Sequence, residues 1–326
     1  MAATIYDVAT TAGVSFQLAS AVLGGKKYAR ASEATRKRIW DAARKLEYRS
    51  NMAASILAGG SSKLIGIILD SFSQYRILRL LQDIERLCYM QGYRFITSFT
   101  HENIAAMRED YHTLRRYGVC GFICCSHNYP KLKNEVVKLF SGAEDVVFLE
   151  RPYVPKMPYI RTSRKKALTA MISDARKLGY RKIGVIHGLK NELTELTLHE
   201  EFLQAMADNG LKADKRLIFE FPRSASMPQI RIDAAMEKLV LPYRPDLLFI
   251  DDAVSALVLH NRLLKNGLNV TICGGNNDPL FQSTDVKSFN PDYEKMASEL
   301  LNLLLHPEKR GEVPVVEAIY EEGSLR

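Results

Sequence analysis

From Leu64 onward, short apolar runs alternate with segments of helical period, and this alternation leaves few folds open to the chain. Strand-like runs at 64–69, 93–98, 121–125 and 146–149 are separated by helical patterns near 77–91, 104–117 and 132–140. Runs that are apolar on both faces suit strands covered on both sides, and parallel strands need a helix-sized crossover between them. A parallel α/β lobe is therefore expected. The theme repeats with helices over 166–178, 200–209, 230–240 and 253–266 and strands over 182–186, 217–220, 247–250 and 269–273. After Phe289-Asn290-Pro291 a helix over 293–305 is expected to return to the first lobe. The expected body is thus two-lobed, with one lobe at about 63–161 and 291–317 and the other at about 162–290 and 318–326. Crossings near Arg161, Asn290 and Glu317 would form its hinge.

The first fifty residues follow a different rule. Thr4-Ile5-Tyr6-Asp7 reads as a capping box opening a helix from Ile5 to Ala12, which Gly13 ends by supplying a left-handed residue. Ser15 caps a second helix, Phe16 to Leu23, and Ser32 caps a third, Glu33 to Leu46. Two short helices joined by Ala12-Gly13-Val14-Ser15 make a tight helix-turn-helix. Ile5, Val8, Ala9, Val14, Ala19 and Val22 are spaced to form its core, which leaves Tyr6, Ser15, Phe16, Gln17 and Ser20 outside. An exposed Gln can pair bidentately with an adenine edge, hydroxyls can bind phosphates, and Phe can touch a thymine methyl. Asn51 can cap a short segment over 52–58, followed by a linker, Gly59-Gly60-Ser61-Ser62. The expected division is 1–50 for the head, 51–62 for hinge and linker, and 63–326 for the body.

Charge agrees with that division. The first 62 residues carry nine Lys+Arg against four Asp+Glu, whereas the other 264 carry 36 against 33. A basic head on a balanced body suits a polyanion such as double-stranded DNA. No apolar run approaches the roughly 18 residues of a membrane span, and the first 15 residues lack a signal core, so a cytoplasmic protein with no membrane partner is expected. The five cysteines read as reduced core residues. Enzyme chemistry finds no support: there is no nucleophile with its base, no phosphate loop, no H-x3-H pair and no paired Cys ligands. No catalytic residues, metal ligands or cofactors are therefore expected.

Ile5-Tyr6-Asp7-Val8-Ala9, Ala12-Gly13-Val14-Ser15, Thr35-Arg36 and Tyr48-x-x-Asn51 resemble the head of the lac-repressor family of transcription regulators. Leu149-Glu150-Arg151, Gly179-Tyr180-Arg181-Lys182-Ile183, Pro245-Asp246-Leu247-Leu248-Phe249, Asp251-Asp252-Ala253 and Glu322-Gly323-Ser324-Leu325-Arg326 resemble landmarks of its sensor domain. The resemblance implies a small all-α head joined to a periplasmic-binding-protein-like α/β body. It further implies a homodimeric repressor on a pseudo-palindromic operator, controlled by a sugar-like or nucleoside-like effector. Phe16, Gln17 and Ala21 take the base-facing positions by this resemblance, and Leu57 that of a leucine inserted into the minor groove. With Thr4, Tyr6, Ser15, Ser20, Thr35, Arg36 and Asn51 they form the expected DNA-binding set. Ala21 stands where the family usually has Arg, and Ser50 where it has Pro.

Open α/β sheets bind ligands at the carboxyl ends of their strands. Those ends nominate Ser71, Arg76, Ser126, His127, Glu150, Thr162, Asp252 and Asn276 for the effector, together with Leu198, which stands where the family usually has a ligand-clamping Arg. Loss of that Arg beside Asp252 and Glu150 leads to the expectation of an uncharged or cationic, polyhydroxylated ligand. The competing reading is a solute-binding protein without a gene-regulatory role, which shares the two-lobed body but has no use for a capped basic helix-turn-helix.

Overall fold

A computed structural model describes residues 3–24, 30–48, 62–70, 75–101, 103–188, 198–221 and 227–325. The chain separates into two compact units, Met1–Ile65 with Asp110–Cys120, and Gly66–Glu109 with Gly121–Arg326. The expected hinge residues 51–61, including Asn51 and Leu57, and the pocket candidate Ser71 lie outside the described residues.

In the head, helices α1 (Ile5–Ala12), α2 (Phe16–Leu23) and α3 (Glu33–Lys45) start and stop where their caps dictate. The Asp7 carboxylate accepts from the Thr4 backbone N–H at 2.8 Å while Thr4 Oγ1 accepts from the Asp7 N–H at 3.4 Å. The Thr4 backbone N–H and hydroxyl, both donating to the carboxylate, hold the Asp7 carboxyl below its usual range. Gly13 is left-handed at φ 62°, which turns the chain sharply into Ser15, whose Oγ accepts from the Leu18 N–H. Val8, Ala9, Ala12, Ala19, Val22, Ile39, Ala42 and Ala43 form the head's core, with Ile5 and Val14 only partly buried against it.

In the body the elements run β1 (Leu64–Leu69), α4 (Tyr75–Met90), β2 (Arg94–Phe99), α5 (Ile104–Arg116), β3 (Gly121–Cys124), α6 (Lys133–Phe140), β4 (Val146–Leu149) and β5 (Tyr159–Ser163). Next come α7 (Lys165–Lys177), β6 (Ile183–Gly188), α8 (Leu198–Asp208), β7 (Ile218–Phe221), α9 (Pro228–Ala235), α10 (Leu241–Tyr243) and β8 (Leu247–Ile250). The chain finishes with α11 (Ala253–Lys265), β9 (Thr271–Gly274), β10 (Lys287–Ser288), α12 (Tyr293–Leu305) and β11 (Val315–Glu317). The strands form two sheets, in the orders β11-β5-β4-β3-β1-β2 and β10-β9-β8-β6-β7. Pairings β3–β4, β4–β5, β5–β11, β6–β7, β6–β8, β8–β9 and β9–β10 are all parallel.

Burial follows from the sheets being covered on both faces. In the second sheet Val185, Leu247 and Phe249 pack with Leu168, Met171 and Phe202, while Ile186, Leu248 and Ile250 pack with Leu239, Ala256 and Leu259. After β10 the chain leaves this lobe; α12 packs against α4, β3, β4 and β5 of the first. An antiparallel bridge between Asn290 and Ile319 ties the two late crossings together.

Three details depart from the sequence reading. The helix expected over 230–240 is α9, a wider turn over Met236–Val240, and α10. Pro242 brings no N–H to the helical ladder, and a widened turn accommodates such a break. The short strands β5, β10 and β11 were not expected, since partly polar pieces of two to five residues are strands only through their neighbours. Cys88, Cys124 and Cys273 are buried as expected, but Cys125 is half-buried and Cys120, placed just ahead of β3, is exposed.

Gly184 is required by a close approach. A Cβ there would stand 2.4 Å from the Leu217 carbonyl oxygen and 2.9 Å from Leu248 Cδ2. Gly184→Ala is expected to destabilise the body by about 1–3 kcal/mol, the usual cost of overpacking, seen as a lower urea midpoint with an unchanged slope. A midpoint equal to that of the parent would show that β6 and β7 can part without cost.

Candidate functional site

The face of the head expected to read DNA lies opposite its core. Helix α2 buries Ala19 and Val22 and turns Phe16 and Gln17 outward, with Ser20 and Ala21 half-buried beside them. Tyr6 is exposed on α1 and stacks on Phe16, with ring centroids 4.8 Å apart and planes 12° from parallel. The two rings thus stiffen one another at the surface, an arrangement the spacing did not predict because the pair crosses between helices. Thr4 and Ser15 act as caps. Thr35 and Arg36 sit half-buried in the first turn of α3, where Ser32 Oγ accepts from the Thr35 N–H at 3.2 Å.

In the body, a cleft of about 480 Å³ opens where the carboxyl ends of both sheets converge. In each sheet the chain first steps one way and then resumes on the other side of its starting strand, β1 in one and β6 in the other. Ligands bind at such switch points because the loops part there. Arg76, His127, Glu150, Thr162, Leu198, Asp252 and Asn276 all line this cleft. Ser126 does not: it is buried behind the wall, its hydroxyl bonded to Thr100 Oγ1 at 3.1 Å and to the Tyr129 hydroxyl.

Most of the acidic groups are already engaged. Asp252 caps α11, accepting from the N–H groups of Val254 and Ser255 and from the Ser255 hydroxyl. Glu150, whose backbone is left-handed at φ 68°, accepts from the Thr162 N–H and hydroxyl. Arg164 reaches both oxygens of Asp251, at 2.9 and 3.1 Å, and its backbone N–H donates to Glu201 Oε1 at 2.9 Å. Glu201 is 2% exposed. Burial pushes its carboxyl above the usual range against the pull of Arg164. The Asn276 amide is committed to the Asp251 carbonyl at 2.8 Å.

His127 and Arg231 in the lining have hydrogen-bonding capacity to spare. His127 Nε2 donates to the Leu149 carbonyl at 2.8 Å, which leaves Nδ1 as a buried lone pair with no partner. Arg231 lies 4.6 Å over the Phe221 ring and 4.0 Å from Asp252, and its buried Nε has no acceptor. Arg231, Arg151, Arg161 and Arg164 join Arg76 in the lining, and sequence reasoning nominated only Arg76. The argument for a cationic ligand therefore loses its premise: Glu150 and Asp252 are satisfied without a ligand, and Arg231 brings a cation to a cleft wall that lacks one at Leu198.

Residues 4–51 match the bacterial regulatory proteins of the lacI family. The chain thus carries a lacI-family head. It is 24% identical to the transcriptional repressor PurR of Photobacterium profundum over 272 residues, 82% of this chain and 79% of the relative. It is 26% identical to the sucrose operon repressor of Streptococcus mutans over 277 residues, 83% and 80% of the two chains. Among solved structures, the lac repressor dimer bound to operator and the anti-inducer ONPF shares its fold at a TM-score of 0.74, 20% identity and full coverage of both chains. The regulator CelR in complex with cellobiose aligns at 0.64 and 18% identity, covering 98% of this chain and all of the other. These relatives are repressors and regulators, not enzymes. Among the described residues no helix is long and apolar enough to cross a membrane.

Burial brings the His127 imidazole down to about 4 from the usual 6.5. A base held neutral by the fold contributes stability that is present above pH 6.5 and is lost as pH falls toward 4. Urea unfolding between those limits is expected to show a loss of up to about 3 kcal/mol, because each tenfold drop in proton affinity on folding is worth about 1.4 kcal/mol, and His127→Gln should remove that component. Coincident profiles for parent and variant would mean that the ring is solvated.

Proposed function

We propose that this chain is a transcriptional repressor that binds a pseudo-palindromic DNA site as a homodimer and changes its affinity for that site when a hydroxyl-bearing small molecule enters the cleft. The observation that carries the reading is the presence, in one chain, of an outward Phe16–Gln17 face on a capped helix and a cleft at the carboxyl ends of two parallel sheets. The operator-bound dimer of the lac repressor and the cellobiose complex of CelR give precedents for both halves. A solute-binding role would leave the head without purpose. The protein works in the cytoplasm, where its DNA is.

Gln17 reads a base edge, Tyr6 stacked on Phe16 contacts the backbone, and the segment 51–62 couples head to body. Gln17→Ala is expected to lose about 1–3 kcal/mol of discrimination at one position of each half-site, measured by binding a library of operator variants. Affinity should fall with salt by about 0.9 log units per counterion released. Equal losses on specific and random DNA would remove Gln17 from base reading, and salt-independent binding would remove the DNA role.

A hydroxyl both donates and accepts, which matches the spare acceptor at His127 Nδ1 on the first lobe and the spare donor at Arg231 Nε on the second. The class of effector favoured is a sugar or nucleoside with oxygens to reach both. Calorimetry with neutral sugars, nucleosides, sugar phosphates and carboxylates should find a binder that Arg231→Gln weakens at least about tenfold, near the 1.5–3 kcal/mol of a hydrogen bond to a charged group. A ligand whose affinity ignores both His127→Gln and Arg231→Gln would place the effector elsewhere.

A further inference from the structure

The second-lobe wall of the cleft holds a cluster that the regulatory reading does not use. His187, on β6, and Glu220, on β7, are direct register partners on neighbouring strands, and His199 is the second residue of α8. Glu220 Oε1 lies 3.3 Å from His187 Nε2 and 3.1 Å from His199 Nδ1, and the two imidazole centroids are 5.1 Å apart. One ligand atom from each residue falls within 4.8 Å of the others.

We propose that His187, His199 and Glu220 bind one divalent transition-metal ion. Two imidazoles and a carboxylate make the borderline donor set that zinc, cobalt and nickel favour over calcium or magnesium, and three protein ligands leave a further coordination position open. The tautomer is arranged for this. His187 Nδ1 donates to the Gly188 carbonyl at 3.0 Å, so the lone pair of the neutral ring sits on Nε2, turned toward Glu220. A metal-bound histidine commonly gives its other N–H to a carbonyl in this way, which fixes the ring and raises its basicity. His187 is 3% exposed and His199 and Glu220 are more open, so an ion can enter from the rim and meet a ligand already held in place. His187 also lines the cleft, as do Leu198 and Phe221 beside the other two ligands. The open position is therefore available to an oxygen of the effector. This last role rests on the cleft being the effector site, whereas the ion site itself does not.

The test uses the full chain, stripped with chelator and titrated with zinc by calorimetry, with metal analysis after equilibrium dialysis. One zinc per chain is expected, and cobalt in its place should give visible ligand-field bands without thiolate charge transfer. His199→Ala and Glu220→Gln should each weaken zinc binding at least about tenfold, since even loss of an outer-shell partner costs about 10–100-fold. Cys120→Ser should leave it unchanged. His187 is buried and its variants risk misfolding, so the two rim variants carry the decision, and each must retain the parent's far-ultraviolet circular dichroism. Absence of zinc binding, binding that survives both variants, or a cobalt spectrum with thiolate bands would overturn the site. These outcomes leave DNA binding and effector binding without metal untouched, so failure here is distinguishable from failure of the regulatory reading.

Discussion

Arg164 follows directly on β5, at the first place where the chain leaves one lobe for the other, and much of the cleft floor hangs from it. Its guanidinium takes both oxygens of Asp251 beyond β8, and its amide is held by Glu201 of α8. Two second-lobe elements, β8 and α8, are thereby fixed relative to the crossing strand. A half-buried pair of this kind is a weak source of net stability, because desolvation offsets much of the attraction, but breaking it leaves an uncompensated charge. Its value is geometric: it sets where the walls that carry Arg231, Asp252 and Asn276 stand.

Around that anchor the cleft divides its polar groups between those engaged by the protein and those left for something else. Asp252 and Glu150 are consumed by a helix cap and by Thr162. His127 and Arg231 retain an acceptor and a donor. Charge count along the chain could not tell these apart, because a carboxylate has the same formal charge whether or not a neighbour already bonds it. The argument from Glu150 and Asp252 to a cationic ligand weakens on this point: it treated acidic residues as available when local backbone geometry had claimed them.

The head poses the opposite case. Its caps act through neighbours three residues apart, so Thr4-x-x-Asp7, Gly13, Ser15 and Ser32 sufficed to place three helices, and the structure keeps their starts at Ile5, Phe16 and Glu33. The outward position of Tyr6, Phe16 and Gln17 followed from helical period alone. Their mutual order did not, since the Tyr6–Phe16 stack joins residues ten apart on two helices.

By itself the sequence determined the class of fold, a helical head followed by an α/β body with parallel sheets, and the resemblance of that head to the lacI family, because capping, hydrophobic period and local motifs are short-range signals. It also nominated seven of the residues that line the cleft, six because strand ends can be located from apolar runs and Leu198 through the family resemblance. Only the tertiary structure decided which side chains share that cleft, that Ser126 stands behind its wall, and that Arg231, Arg164 and Asp251 belong to it. The same holds for His187, His199 and Glu220, which sit on three different elements with no motif spacing between them. Strands β5, β10 and β11 make the point for the backbone. Too short and too polar to announce themselves, they exist because a neighbouring strand offers its hydrogen bonds, and that pairing is a property of the folded chain.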